Sequence, residues 1–174
     1  DLMAWNADQT RMPFRMHSEY LRHIFLGNEL ATGHYKVNGR TIAITDIRAP
    51  IFTVATEQDH VAPWRSVYEI NLLADADEVT FLLTSGGHNA GIVSEPGHHR
   101  RSFQMATRND QDRYIDPDTW QATIPKQEGS WWLAWEAWLT KHSAAHQVSP
   151  PPMGMPEKGL YPICEAPGTY VLQK

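Results

Sequence analysis

The chain has 174 residues, 41% hydrophobic and 20% charged, with a net charge of −5. That fits one globular domain and excludes a basic nucleic-acid-binding chain, since no Lys/Arg stripe runs along any predicted helix. No apolar run approaches the ~20 residues needed for a transmembrane helix, and the single cysteine, Cys164, excludes an internal disulfide framework and fits a reducing compartment.

Residues 1–12 read as irregular. Pro13 then opens a helix in which Phe14, Tyr20, Leu21, Ile24 and Phe25 fall near helical spacing, and Gly27 or Asn28 ends it. Asn38-Gly39 between short β-like flanks is a strong hairpin signal. The run "IFTVA" (51–55) is apolar without alternation, as in a strand covered on both faces. Pro63 occupies a first helical position, and "WRSVYEINLLAD" follows as a helix packing through Trp64, Val67, Leu72 and Leu73. A second buried-strand pattern, "VTFLLTS" (79–85), completes a βαβ unit whose crossover should be right-handed. Residues 94–118 hold few apolar groups and many charges and read as a long loop. "TWQATI" suggests a helical turn. "GSWWLAWEAWLTKHSAAH" reads as a helix capped by Ser130, with Trp131, Trp135 and Trp138 on one face. From Ser149 the proline-rich tail is expected to run extended over the surface.

Ligands of open parallel sheets gather beyond the carboxyl ends of the strands. Two loops have that address. One follows "IFTVA" and holds Glu57, Gln58, Asp59 and His60. The other, "TSGGHNAG", holds His88 among Gly86, Gly87 and Gly91. One crossover joins the two strands, so Asp59 and His88 can meet at one sheet edge. A carboxylate beside an imidazole is the orienting half of a nucleophilic triad, and acid before histidine is the α/β-hydrolase order. Plainer readings stand beside this one. Asp59 also suits a helix cap or turn, His88 a loop position, and His60 packing or a loop hydrogen bond. His98-His99-Arg100-Arg101 reads as a solvated basic turn rather than a phosphate or CoA site. His142 and His146 stand four apart on a helix but have no third metal ligand in register, so no metal is expected. No serine or cysteine has the frame of a nucleophile elbow, and Cys164 lies among prolines. The chain therefore reads as truncated on its amino side, with the nucleophile absent from it.

The stretches "WNADQTRMP", "YLRHIFLGNEL", "DHVAPW", "SGGHNAGIV", "GSWWLAWEAWL" and "APGTYV" together resemble the carboxyl-terminal part of polyhydroxyalkanoate synthases, from about residue 3 to about 172. One departure is the doubled glycine before His88, where many members have one. The resemblance implies an α/β fold: the carboxyl-terminal portion of an α/β-hydrolase fold preceded by the end of a cap. Residues 1–33 would end the cap, 34–148 would belong to the core, and 149–174 would form the extended tail. It implies a Cys-Asp-His triad with Asp59 as acid and His88 as base, the cysteine lying upstream. It implies a polymerase of (R)-3-hydroxyacyl-CoA that extends a polyester chain and needs no cofactor, since CoA is the leaving group. A homodimeric parent at the surface of cytoplasmic storage granules is also implied, and the chain alone should be inactive. Two rivals remain: an esterase or depolymerase of the same fold, and a non-catalytic module binding granules or a partner through the tryptophan helix or the tail.

Overall fold

The computed structural model describes residues 11–144, 146–166, 168, 169 and 172. The irregular opening 1–10 with its "WNAD" motif lies outside them, as do residues 167, 170 and 171 of "APGTYV". Two compact units are present, Ser18–Ser143 and a smaller one formed by the two ends of the chain, Asp1–His17 with Ala144–Lys174.

The helix begun at Pro13 forms as α1 (Phe14–Glu19) and continues as a wider π-helical turn, Tyr20–Leu26. Gly27 closes it by donating its N–H to Arg22 O, and Asn28 follows at φ 46°. Asn38 and Gly39 both take positive φ (50° and 78°), the geometry a two-residue hairpin requires. They join β1 (Lys36–Val37) to β2 (Arg40–Thr41).

The main sheet has four strands in the order β3 (Ile51–Thr56), β4 (Glu78–Thr84), β5 (Ser102–Asn109) and β6 (Gln127–Glu128). Strands β3 and β4 run parallel, from Ile51 beside Val79 to Thr56 beside Thr84. Between them lie α2 (Trp64–Tyr68) and α3 (Ile70–Leu73). Pro63 is the residue before α2, one position earlier than the sequence suggested. The next two strand pairings are antiparallel. The result is an α/β fold with a mixed sheet.

Successive β4 side chains point to opposite faces, and both faces are covered. Phe81 and Leu83 pack with Ala55, Trp64, Tyr68 and Trp120, the last from α4 (Pro117–Thr123). Leu82 packs with Phe103 and Trp131 on the other face, beneath α5 (Trp132–Lys141). Each large side chain so buried contributes roughly 1.5–3 kcal/mol. The tryptophan face is thus partly turned to the sheet: Trp131 is buried and Trp138 lies 5.4 Å from Phe52, whereas Trp135 is exposed. The cap position is Trp131, one residue later than the sequence suggested; Ser130, just ahead of it, accepts from Trp132 N through Oγ at 3.1 Å.

The long loop expected over 94–118 is not there. Residues 102–109 form β5, paired with β4 from Phe103 to Asn109. Its polar residues hid the strand. Ser102 and Gln104 are buried and hydrogen-bonded, Gln104 Nε2 donating to Gln121 O at 2.8 Å and to Ile124 O at 2.5 Å. The tail is mostly exposed, as expected, but it is not uniformly extended. Pro156–Lys158 form a 3-10 turn, and Met155 bridges to Leu160.

Candidate active site

The parallel ladder does not stop at the ends of β3 and β4. Glu57 N donates to Thr84 O (2.9 Å) and Gln58 N to Gly86 O (3.0 Å). These two bonds clamp the loop after β3 to the loop after β4. Asp59 then folds back on its own backbone. Its Oδ1 accepts from Val61 N (2.8 Å) and Ala62 N (2.9 Å), an Asx turn that leads into Pro63 and α2.

The second carboxylate oxygen faces the other loop. His88 Nδ1 lies 2.9 Å from Asp59 Oδ2, so an Nδ1–H donated to the carboxylate leaves Nε2 on the far side of the ring. The Asp59 side chain is 9% exposed and that of His88 46%. Burial works against ionisation of Asp59. The N–H of Ala62, the His88 hydrogen bond and the N–H of Val61 outweigh it, and its pKa falls to about 2. The pair is therefore a fixed carboxylate beside a half-exposed imidazole whose Nε2 is turned away from it.

Close packing of glycines sets the position of His88. Gly86 takes φ +105°, and a Cβ there would lie 2.8 Å from Arg101 Nη1 and 3.0 Å from Gly91 Cα. A Cβ at Gly91 would lie 2.5 Å from Thr56 Cγ2, at the end of β3. Gly87 differs: its φ is ordinary for any residue, and its nearest neighbour would be Gln58 O at 3.8 Å. Of the doubled glycine, Gly86 is the one the backbone requires.

Beyond the loops, Trp131 Nε1 donates to Gly91 O (3.0 Å) and Trp132 Nε1 to Ile92 O (2.9 Å). The start of α5 thereby anchors the chain leaving the His88 loop.

The sequence had brought Asp59 and His88 together, and the structure does so. His60, beside them, is exposed and takes no part in the bonds that hold the loop. His99 and Arg100 are exposed, in keeping with a solvated turn, but Arg101 is half-buried, with its Nε enclosed under the glycine loop. Sequence reasoning missed Arg101, and also the N–H groups of Val61 and Ala62; "D-x-x-x-P" before a helix was the available signal for the Asx turn. His142 is bonded through Nδ1 to Trp138 O (2.8 Å), and its Nε2 lies 3.4 Å from Glu78 Oε1. No group of three potential metal-ligating side chains occurs among the described residues. Cys164 is exposed.

No family model matches the chain. Relatives do. The chain is 35% identical over 174 residues to poly(3-hydroxyalkanoate) polymerase subunit PhaC of Rhizobium etli, covering 100% of this chain and 26% of that protein. It is 37% identical over 171 residues to the same subunit of Rhizobium meliloti, covering 98% of this chain and 26% of the relative. To the subunit of Cupriavidus necator it is 33% identical over 176 residues, covering 100% of this chain and 28% of the relative. The chain thus spans little more than a quarter of the length of the curated relatives it matches. In sequence it is related, from end to end, to the carboxyl-terminal part of poly(3-hydroxyalkanoate) polymerases.

Proposed function

We propose that this chain carries the acid and base of a Cys-Asp-His acyl-transfer triad in a polyester synthase. The parent enzyme polymerises (R)-3-hydroxyacyl-CoA into polyhydroxyalkanoate and releases CoA. Its cysteine comes from a part of the parent ahead of this chain, within an α/β-hydrolase fold to which β3, β4 and their crossover belong. Residues 1–33 end a cap, 34–148 belong to the core and 149–174 form the tail. A homodimeric parent acting at the surface of storage granules completes the proposal.

One observation carries this reading: the Asp59–His88 hydrogen bond at the carboxyl ends of adjacent parallel strands, with Nε2 left facing outward. The end-to-end likeness to PhaC subunits supports it. In the proposed reaction Nε2 accepts the thiol proton, and the thiolate attacks the thioester carbonyl. The carbon–sulfur bond to CoA breaks, and the imidazolium returns its proton to the departing thiolate, so CoA leaves as the thiol and Nε2 is free again. The acyl group is then on the cysteine. The same nitrogen takes the proton of the 3-hydroxyl that attacks the next thioester, so each ester bond formed releases one CoA thiol. A free cysteine is only a few per cent thiolate at neutral pH, which makes a neighbouring base matter. Both oxygens of Asp59 are engaged, which favours orientation of His88 over direct activation of the 3-hydroxyl.

The test is CoA release from (R)-3-hydroxybutyryl-CoA by the full-length parent. His88→Ala is expected to abolish it; near-normal turnover refutes the base assignment. Turnover by the isolated 174 residues refutes the dependence on an upstream cysteine. Ester hydrolysis without polymer growth, from an upstream serine elbow, assigns the parent to the depolymerases.

A further inference from the structure

A second site lies at the other end of the sheet. Arg108, near the end of β5, is in register with Val79 at the start of β4, whereas His88 follows the end of β4 at Thr84. Five residues of strand separate those levels, about 17 Å. Beside Arg108 is a cavity of about 320 Å³ between β5, α2 and the segment leading into α4.

Its floor is aromatic. Tyr68, Phe81 and Trp120 pack edge to face there, with ring centroids 4.8 Å apart for Tyr68–Phe81 and 5.1 Å for Phe81–Trp120. Tyr114 stands 6.2 Å from Tyr68, and the Tyr68 hydroxyl is already used, donating to Ile115 O at 2.9 Å. The rim is cationic, formed by Arg108 and Arg113. Arg108 Nε is enclosed, yet no described atom accepts its proton. Its Nη2 makes one long bond, 3.4 Å to Ala74 O. Arg113 has no ion pair or hydrogen bond among the described residues. Two carboxylates are nearby: Asp112, within the field of Arg108, is taken up by Asn109 N (2.8 Å) and Asn109 Nδ2 (3.0 Å), and Asp116, beside Tyr68, accepts from Thr119 N (3.0 Å).

Two guanidiniums therefore stand above an aromatic floor where the nearby carboxylates already accept from Asn109 and Thr119. A buried donor without an acceptor is costly, and an arginine fork matches a carboxylate or phosphate through paired bonds. We infer that this cavity binds a small organic anion with an aromatic body, its head group held by Arg108 and Arg113 and its ring resting on Tyr68, Tyr114 and Trp120. The volume suits such a ligand, at the lower end of the roughly 300–1,000 Å³ of small-molecule pockets. The inference does not depend on the acyl-transfer proposal, because none of these residues belongs to the Asp59–His88 loops.

The experiment is calorimetric titration of the full-length parent with 2-naphthoate, with neutral 2-naphthamide, and with 2-naphthyl phosphate. One or both anions are expected to bind at least about tenfold more tightly than the amide, the weight of one charge-assisted hydrogen bond. Whichever anion is tighter names the head group. Arg108→Gln and Arg113→Gln are each expected to weaken the anion by about tenfold or more, and His88→Ala to leave it unchanged. Arg113 lies on an exposed loop, so its variant keeps the test open if Arg108→Gln fails to fold. Equal affinity for anion and amide, no saturable binding of either anion, or wild-type binding by both arginine variants overturns the inference. So does loss of binding in His88→Ala, which puts the anion at the other end of the sheet.

Discussion

Gly91→Ala offers a direct test of how the Asp59–His88 pair is held. The new methyl group meets Thr56 Cγ2 at 2.5 Å, Thr56 Cβ at 2.9 Å and Gly87 O at 3.0 Å. Ordinary contact begins near 3.4 Å, so about 0.9 Å must be recovered. Thr56 cannot yield easily: it is 1% exposed and ends a strand paired with β4 on one side. Gly87 O accepts from Gly91 N at 2.8 Å, so it is fixed as well. Overpacking of this kind costs about 1–3 kcal/mol. For a chain of this size that lowers Tm by about 2–12 °C. The movement also parts the two loops. Thr56 directs its Oγ1 toward Asp59 Oδ2 at 3.5 Å, and His88 lies three residues before Gly91. A shift near 1 Å between them takes the 2.9 Å bond out of range. The assay is thermal unfolding together with the imidazole NMR signals of His88, with Gly87→Ala as internal control. At Gly87 the added Cβ has its nearest neighbour at 3.8 Å, so that variant should be neutral within about 0.5 kcal/mol. If Gly91→Ala melts with Gly87→Ala and keeps the His88–Asp59 signal, close packing is not what sets the histidine.

Other outcomes follow from the same geometry. Asp59→Asn in the parent should keep the turn to Val61 and Ala62 but present an amide to His88, and turnover should fall by on the order of 10⁴, as in comparable triads; a loss under about tenfold would remove Asp59 from the orienting role. The depressed pKa of Asp59 has a signed consequence. Its contribution to stability is fully present above the unfolded value near 3.8 and is lost as pH falls toward about 2; in acid titration, the stability gap between wild type and Asp59→Asn should be constant above that window and close within it. Ser130→Ala removes a hydroxyl that accepts from Trp132 N and donates to the buried Ser94 O, and should cost about 1–3 kcal/mol in urea unfolding. Lys126→Ala breaks the 3.1 Å contact with Glu57 Oε1, half-exposed on the lysine side, and should cost under about 1 kcal/mol by the same measurement.

The sequence made β3 and β4 legible because strands covered on both faces are written as apolar runs. It hid β5 for a related reason. Along "SFQMATRN" the apolar packing on the Trp131 side comes from Phe103 and Met105, while Gln104 turns toward α4 and is satisfied by carbonyls 17 and 20 residues away. A buried glutamine with long-range partners looks, in sequence, like a solvated one. Arg108 was obscured in the same way. It reads as a surface charge and stands with its Nε enclosed. The hairpin at Asn38-Gly39 was readable because its chemistry is local: both residues tolerate positive φ.

Asp59 shows why a turn former and a candidate catalyst need not be alternatives. In sequence they compete, because one aspartate after a strand suits either. In the structure each carboxylate oxygen has its own task. Oδ1 ties two N–H groups of the turn and so fixes the plane of the carboxylate; Oδ2, held in that plane, meets His88. The turn is the means by which the acid is aimed. A substitution that spares the charge but breaks the turn should then behave like loss of the acid itself. Asp59→Glu carries one more methylene and cannot hold Val61 N and Ala62 N at 2.8 and 2.9 Å while also reaching Nδ1. In the parent it should fall to within about tenfold of Asp59→Asn, despite keeping the negative charge. Near wild-type turnover in Asp59→Glu would mean that charge near His88 suffices and that the fixed carboxylate plane does not matter.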